Sequence, residues 1–150
     1  MSFFIVLTSD ATIEAFNRIM ERNDFSDFKE SKMLLCQMHH HGSLENHQMQ
    51  FWKKLVSEKN CPVVVSAGKH LKYKHPHKDV VADFLSNDFK IYPTNYVNGI
   101  RDFIINFENS ISFSLDMIST LMEKFEPEGD QQFNIVGSSL VYNVPPSSEI

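Results

Sequence analysis

The first two thirds of the chain alternate short apolar runs with polar, helically periodic segments. Four runs rich in β-branched and aromatic residues predict strands at residues 3–7, 33–36, 62–66 and 89–92. The first run is unbroken, which is typical of a strand covered on both faces. We therefore expect a sheet built from four short strands in this part of the chain.

Apolar residues at helical spacing follow each of the first three runs. They predict helices at residues 11–22, at residues 44–55 and after Pro76, with Phe16, Phe51 and Val80 on the buried faces. Ser9 or Asp10 is available as the N-cap of the first helix. Strands that alternate with helices of this length indicate βαβ units, an α/β fold and a largely parallel sheet.

The pattern weakens beyond Gly99. Residues 103–107 are apolar enough for another strand, and Leu115, Ile118, Met122 and Phe125 suggest a helix. Residues 132–144 predict a final strand. Because no repeat or linker interrupts the 150 residues, we expect a single domain, with residues 101–144 completing its strands and helix.

Composition excludes several classes of protein. The chain is 42% hydrophobic with a formal net charge of −5, so it has no global basic field to hold nucleic acid, and any such contact must be local. The apolar run at residues 3–7 is too short to span a membrane or to form a signal-peptide core, and we expect a cytoplasmic protein without membrane contact. Cys36 and Cys61 form neither a disulfide framework nor a CxxC pair.

Histidine distribution points to chemistry, because all seven histidines lie between His39 and His77. Polar clusters follow the first three predicted strands, and the carboxyl ends of parallel strands meet at one edge of a sheet. Carboxylate with imidazole suits zinc, manganese or iron. The clusters are Thr8-Ser9-Asp10, then His39-His40-His41-Gly42-Ser43, then Ser66 with His70, Tyr73, His75 and His77.

Each cluster also has a structural interpretation. Asp10 is at a position typical of a helix cap, and the histidine run is compatible with a solvated loop. His39 would in that case be the last residue of its strand, and Ser43 the N-cap of the following helix. The residues alone leave both interpretations open.

Taken in their order along the chain, the clusters resemble the series of motifs in hydrolases of the metallo-β-lactamase fold, in particular ComEC-like hydrolases. The segments that carry the resemblance are FIVLTSDA at residues 4–11, LLCQMHHHGS at 34–43, VVVSAG at 63–68 and YKHPH at 73–77, followed by Thr94 and Gly99. It covers roughly residues 3–100. Ser9 and Lys74 stand where such proteins commonly have Gly, and His70 where Asn is common.

The resemblance implies roles for individual residues. Asp10 would bridge two zinc or manganese ions, and His41, or else His40, would bind the second ion. His75, which precedes a proline, would contact a phosphate or donate a proton to the leaving oxygen. The remaining substrate-binding positions would be Ser43, Ser66, His70 and Tyr73.

The HxHxDH motif that supplies the first metal's ligands in such proteins is absent from this sequence. The chain thus resembles the C-terminal half of the αββα sandwich, and we expect an N-terminal half or a partner chain to supply the motif. The expected activity of the complete assembly is phosphodiester hydrolysis, with nucleic acid as a candidate substrate and an inactive isolated chain. Lys69, Lys72, Lys74 and Lys78 lie near His75 and are candidate phosphate contacts or ordinary solvated lysines. The alternative is a non-catalytic half-domain that acts as a binding or regulatory subunit.

Overall fold

Strands and helices alternate along the chain in a computed structural model that describes residues 2–56, 59–68, 72–110, 125, 132–136 and 139–143. Short turns of 3₁₀ type occupy Asn23–Glu30 and His39–Gly42. The elements are β1 (Phe3–Val6), α1 (Ile13–Met20), β2 (Lys32–Gln37), α2 (Met49–Leu55), β3 (Cys61–Val65), α3 (Lys78–Ser86), β4 (Phe89–Pro93), α4 (Asn98–Ser110), β5 (Gln132–Val136) and β6 (Ser139–Asn143).

Strands β1 to β4 form one parallel sheet in chain order. Cys36 of β2 is paired with Val6 of β1 and with Val63 of β3, which in turn is paired with Ile91 of β4. The predicted α/β fold, with a parallel sheet and flanking helices, is therefore confirmed and is consistent with half of an α/β sandwich. The parallel arrangement brings the carboxyl ends of all four strands to one edge.

The hydrophobic core lies between the sheet and the helices. Phe16 of α1, Trp52 of α2 and Phe84 of α3 are fully buried, and they share one cluster with Val63 and Ile91 of the sheet. The helices form because their apolar residues recur at three- and four-residue spacing, which brings those residues to one side of each helix. This packing fixes the strand ends and the turns that follow them.

Strand β1 is only half buried, so the prediction that both of its faces are covered is wrong. It lies at one edge of the four-stranded sheet, with β2 as its neighbour, and its exposure alternates from residue to residue. The side chains of Phe3, Ile5 and Leu7 are 41%, 40% and 75% exposed. An unbroken apolar run does not distinguish a central strand from an edge strand, because the neighbours decide burial.

The first two helices begin later than predicted. Helix α1 begins at Ile13 after Thr12, so neither Ser9 nor Asp10 occupies its N-cap position. Helix α2 begins at Met49 after Gln48, which rules out Ser43 as its cap. Short polar side chains such as asparagine favour turns over helices, and the segment before Met49 contains Asn46.

Two predictions for the last third of the chain are corrected. Residues 103–107 lie in α4 instead of a strand, because Ile100, Phe103 and Ile104 have helical spacing and pack against the core. Residues 132–136 and 139–143 form two antiparallel strands, β5 and β6, instead of the single predicted strand. The Gly137-Ser138 pair between these strands is a sequence typical of a hairpin loop.

The helix predicted around Leu115, Ile118 and Met122 falls outside the described residues. Phe125 is described, is buried, and forms an isolated parallel bridge with Ile91. Within the described ranges, no helix has the length and apolar character needed to cross a membrane.

Candidate functional site

The turns that follow β1 and β2 are joined at the carboxyl edge of the sheet. The amide of His40 donates a hydrogen bond to the carbonyl oxygen of Ser9 at 2.7 Å. The hydroxyl of Thr8 donates to the carbonyl oxygen of Gln37 at 3.0 Å, and the Gln37 side chain accepts from the amide of Ser9 at 3.1 Å. The predicted meeting of the first two polar clusters at one edge is confirmed.

The histidine turn has three consecutive residues with left-handed backbone. The φ angles are +42° at His40, +53° at His41 and +84° at Gly42. A Cβ atom at residue 42 would lie under 3 Å from Pro76 and from the Sδ atom of Met38, so only glycine fits there. Left-handed backbone is unfavourable for histidine, and such strain persists only where surrounding contacts enforce it.

A cavity of about 340 Å³ opens beside this turn. Its walls come from the turn after β2, the segment after β3 and the loop before α3. The lining residues are His40, His41, Ser66, Ala67, Gly68, Tyr73 and His75. The structure thus brings together five of the predicted site residues, which are separated by up to 35 positions in the sequence.

The imidazole of His41 is held by the segment after β3. Its Nδ1 atom lies 2.6 Å from the carbonyl oxygen of Ser66. A carbonyl oxygen only accepts, so His41 Nδ1 carries the proton, and in the neutral ring Nε2 carries the lone pair. This arrangement is the one that orients metal-binding histidines in proteins.

The imidazole of His40 has the opposite arrangement. The side-chain amide of Asn46 donates to His40 Nδ1 at 3.2 Å, so the proton of the neutral ring lies on Nε2. Of the two histidines, only His41 therefore offers Nε2 as a ligand atom. Asn46 was not predicted as a site residue, because an asparagine six residues away carries no sequence signal for this contact.

His75 lies between Tyr73 and His40 in the cavity wall. Its ring stacks on Tyr73 with centroids 5.9 Å apart and planes at 18°, and it meets the His40 ring edge-on at 6.0 Å. Burial lowers the pKa of His75, as do the neighbouring His40, His41 and His77, while Glu45 acts in the opposite direction. His75 is thus a neutral imidazole at pH 7, with one donor and one acceptor nitrogen.

The loop that carries His75 is fixed through its backbone. The amide of His77 donates to the carbonyl oxygen of Gly42 at 2.9 Å, and the amide of Gly99 donates to that of Pro76 at 2.8 Å. The Asn98 side chain donates to the carbonyl oxygen of His75. These bonds join the loop to the histidine turn on one side and to the start of α4 on the other.

The segment after β3 is fixed by two side chains that follow β4. Thr94 Oγ1 accepts from the amide of Ala67 at 3.2 Å, and the Asn95 side chain donates to the carbonyl oxygen of Ala67 at 2.8 Å. Thr94 belongs to the motif series noted in the sequence, whereas Asn95 was not anticipated. Together they position the backbone around Ser66, which holds His41.

Three other residues of the predicted clusters, all among the described residues, do not line the cavity. Asp10 is exposed in the turn after β1, and Ser43 is buried, with its hydroxyl 3.5 Å from the Asn46 amide. His77 is the N-cap of α3, where its Nδ1 accepts from the amide of Asp79 at 3.3 Å. His70 falls outside the described residues.

Two further histidines stack behind the turn, one fully buried and one partly buried. His39 is fully buried and stacks on His47 with ring centroids 5.3 Å apart. Burial, followed by the neighbouring His47 and His40, lowers the pKa of His39 to about 3. Nε2 of His47 lies 2.6 Å from the carboxylate of Asp83 on α3. Strand β2 ends at Gln37, so the interpretation of His39 as the last residue of its strand is wrong; His39 lies in the following turn and is fully buried.

The cavity fits part of a metal site. His41 has the tautomer and the orienting hydrogen bond of a ligand, and imidazole nitrogen suits zinc. Within the described ranges, however, no group of three or more His, Cys, Asp or Glu side chains could hold a metal ion. A zinc site needs at least three protein ligands, so further ligands would have to come from elsewhere.

Comparison of the chain with protein-family models, with curated proteins and with solved structures found no match in any of the three.

Proposed function

We propose that this chain is the half of a metal-dependent phosphodiester hydrolase that carries His41 and His75, and that a second segment or chain completes the site. The observation that carries the proposal is the hydrogen bond from His41 Nδ1 to the carbonyl oxygen of Ser66 at 2.6 Å. It leaves Nε2 as a ligand atom in a residue that lines a cavity with His75. The proposal also includes a cytoplasmic location, for which the two free, buried cysteines offer support.

Zinc or manganese ions, two in the complete site, would be held on this side by His41 and by Asp10. The alternative ligand, His40, is disfavoured because Asn46 donates to its Nδ1 atom and its Nε2 atom then carries the proton. When bound, such ions polarise a phosphoryl oxygen and strengthen water as a nucleophile. The position of Asp10 supports its role as a ligand. It directly follows Ser9, whose carbonyl oxygen accepts a hydrogen bond from the amide of His40. Its exposed carboxylate would become a ligand once the second half covers this edge.

His75 would act on the substrate. A neutral imidazole can donate a hydrogen bond to a phosphoryl oxygen or a proton to a leaving oxygen, and burial favours the neutral form of this one. The stack on Tyr73 limits rotation of the ring, so the donor is oriented before substrate binds. Exposed Lys72 and Lys74 flank Tyr73 and could attract the phosphate.

The missing half would also cover apolar surface. Phe3 and Ile5 lie exposed on the edge strand β1, and Leu7 lies exposed directly after it. Exposed side chains of this size, close together in the chain, are typical of a surface that another segment buries. A partner that carries HxHxDH would therefore supply ligands and protect this strand at the same time.

A second candidate function is a non-catalytic half-domain that binds or regulates another protein. The observation in its favour is that the described residues include no group of three metal-binding side chains. In that case the cavity would be a remnant of a site or a contact surface, and no metal would be required. Metal content of the native assembly distinguishes the two functions.

The direct test is zinc titration of the isolated chain by calorimetry near neutral pH. We expect weak, saturable binding that His41→Ala reduces by about tenfold or more, while the control His77→Asn, which retains a capping side chain outside the cavity, leaves it unchanged. Absence of saturable binding, or equal binding by His41→Ala, would contradict a metal role for His41.

Activity requires the native assembly, purified by a tag on this chain from the cells that make it. With bis-para-nitrophenyl phosphate we expect turnover by the assembly, with roughly two ions per chain, and no turnover by the isolated chain. His75→Ala should lower turnover by roughly 10²–10⁴-fold without changing metal content. An assembly without bound metal and without turnover would favour the non-catalytic function.

A further inference from the structure

One side of strand β1 has no strand partner among the residues that the structure describes. On the other side, the amide of Lys32 donates to the carbonyl oxygen of Ser2 at 3.0 Å, so the backbone of Ser2 faces β2. The backbone groups of successive strand residues alternate between the two sides, so those of Phe3 and Ile5 point away from β2, and Leu7 continues the alternation. Such an open edge is a place where a further strand can pair.

The opposite edge of the sheet is protected against such pairing. On β4, Ile91 forms a parallel bridge with the buried Phe125, and the strand contains Lys90 and ends at Pro93. Lysine and proline on an edge strand disfavour the addition of another strand. Strand β1, with the sequence FFIV, contains neither residue. Of the two edges, β1 is therefore the one suited to receive a strand.

Apolar side chains lie exposed on both faces of the sheet beside this edge. Phe3 and Ile5 share one face of β1, because they are two residues apart, and the exposed Leu7 extends it. On the other face, the exposed Phe28 meets the ring of Phe4 edge-on, with centroids 5.3 Å apart. A strand added to β1 would thus bury apolar surface on both of its faces.

The segment at residues 2–9 complements a second copy of itself. Antiparallel pairing centred on Ile5 places Phe3 of each copy opposite Leu7 of the other, so every pair on this face is apolar. It also brings the outward-facing backbone groups of the two copies opposite each other, as an antiparallel ladder requires. The segment contains no charged side chain, although the chain has a formal net charge of −5. Two copies therefore meet here without placing like charges side by side.

We propose that two copies of the chain pair antiparallel through β1 and form one continuous sheet across a two-fold axis at Ile5. The interface is small compared with the roughly 1,200 Å² or more that stable complexes bury, so we expect a reversible dimer with a Kd of roughly 10–100 μM. The inference concerns the chain on its own and is independent of the proposed hydrolysis, in which a second half would take the place of the second copy on β1.

The test is sedimentation equilibrium of the whole chain at concentrations on both sides of the expected Kd, with a chelator present. Ile5→Lys should raise the Kd by about tenfold or more, because the two introduced ammonium groups would lie opposite each other at the axis. The matched control is Ile105→Lys on α4, since Ile105 and Ile5 are both 40% exposed, and it should leave the Kd unchanged. A chain that stays monomeric, or an equal effect of the two variants, would overturn the proposal.

Hydrogen exchange of the unmodified chain locates the interface and needs no variant, so it decides even if Ile5→Lys does not fold. We expect exchange of the Ile5 and Leu7 amides to slow as the concentration rises through the Kd, because these amides would become hydrogen-bonded to the second copy. The amides of Phe4 and Val6 face β2 and should change little. Dimerisation without this alternation would place the interface elsewhere and contradict the proposal.

A pair of charge variants tests the antiparallel register. Phe3→Lys and Leu7→Glu should each weaken dimerisation, because each introduces a charge into an apolar interface. The double variant should dimerise more tightly than either single variant, since the opposite charges would then lie across from each other. Dimerisation of the double variant that is no tighter than that of both single variants would show that residues 3 and 7 are not opposed, and the proposed pairing would be wrong.

Discussion

The Nδ1 atom of His41 and the carbonyl oxygen of Ser66 lie 2.6 Å apart, although 25 residues separate them in the chain. The bond joins the turn after β2 to the segment after β3, whose backbone is in turn held by Thr94 after β4. Neighbouring strands of the sheet therefore determine the tautomer of one imidazole.

The two cavity histidines should have opposite tautomers. Long-range nitrogen-15 spectra at mildly alkaline pH should show the proton of His41 on Nδ1 and that of His40 on Nε2, because Ser66 accepts from the first ring and Asn46 donates to the second. Asn46→Ala should alter the His40 signals and leave those of His41 unchanged. A proton on Nε2 of His41 would contradict the orientation on which its ligand role depends.

Gly42→Ala should destabilise the fold by about 2 kcal/mol or more. The residue has a φ of +84°, and its Cβ would collide with Pro76 and Met38. The matched control is Gly68→Ala, where an added Cβ meets nothing within 4 Å and the free energy of unfolding should change by less than about 0.5 kcal/mol. Urea unfolding of both variants measures the difference, and equal effects would show that the turn tolerates a side chain.

His39 should make the fold less stable in acid. The unfolded chain binds a proton at this residue below its ordinary pKa of 6.5, whereas the folded chain keeps it neutral down to about 3. Stability should therefore fall as the pH falls through this window, by up to about 1.4 kcal/mol per pH unit from this residue.

His39→Leu should flatten that dependence. It removes two buried ring nitrogens that have no hydrogen-bond partner in the described part of the chain, so stability at neutral pH should be retained or raised. Urea unfolding of both proteins across this pH range, with a chelator present, gives the two curves. Parallel curves would show that His39 is not the residue responsible.

The contact between His47 and Asp83 should contribute measurably to stability. Their side chains are 2.6 Å apart and partly buried, and Asn87 donates to the same carboxylate at 2.9 Å. A double-mutant cycle with His47→Ala and Asp83→Ala should give a coupling of about 1–2 kcal/mol. The matched control is the exposed pair Arg22 and Asp24, for which no measurable coupling is expected. Equal coupling in the two cycles would contradict the importance of burial.

Much of the fold could be predicted from the sequence because it depends on local patterns. The four parallel strands begin and end within one residue of the predicted bounds, and the buried face of α3 is as predicted, with Val80, Val81 and Phe84 fully buried. Strand and helix periodicity are properties of a few neighbouring residues, so they are readable without tertiary information. The same holds for the polar clusters, which lie at strand ends because apolar runs stop there.

The burial of each strand and the state of the segment after β4 could not be predicted from local patterns. The exposure of Ile5 depends on whether a strand lies beside β1, and the helical state of Phe103 depends on its packing against the core. Neither neighbour is visible in a short window of sequence. Propensity is a weak signal for such segments, and tertiary contacts override it.

The sequence by itself determined the residue types of the candidate site: a run of histidines after the second strand, a Ser after the third, and a Tyr and a His before Pro76. Only the tertiary structure decided which of them share a cavity, and it separated His40 and His41 from Asp10, Ser43 and His77. It also decided which ring nitrogen carries the proton, through Ser66 and Asn46. The physical reason is that hydrogen bonds and burial join residues far apart in the chain, and their geometry is set only when the strands lie side by side.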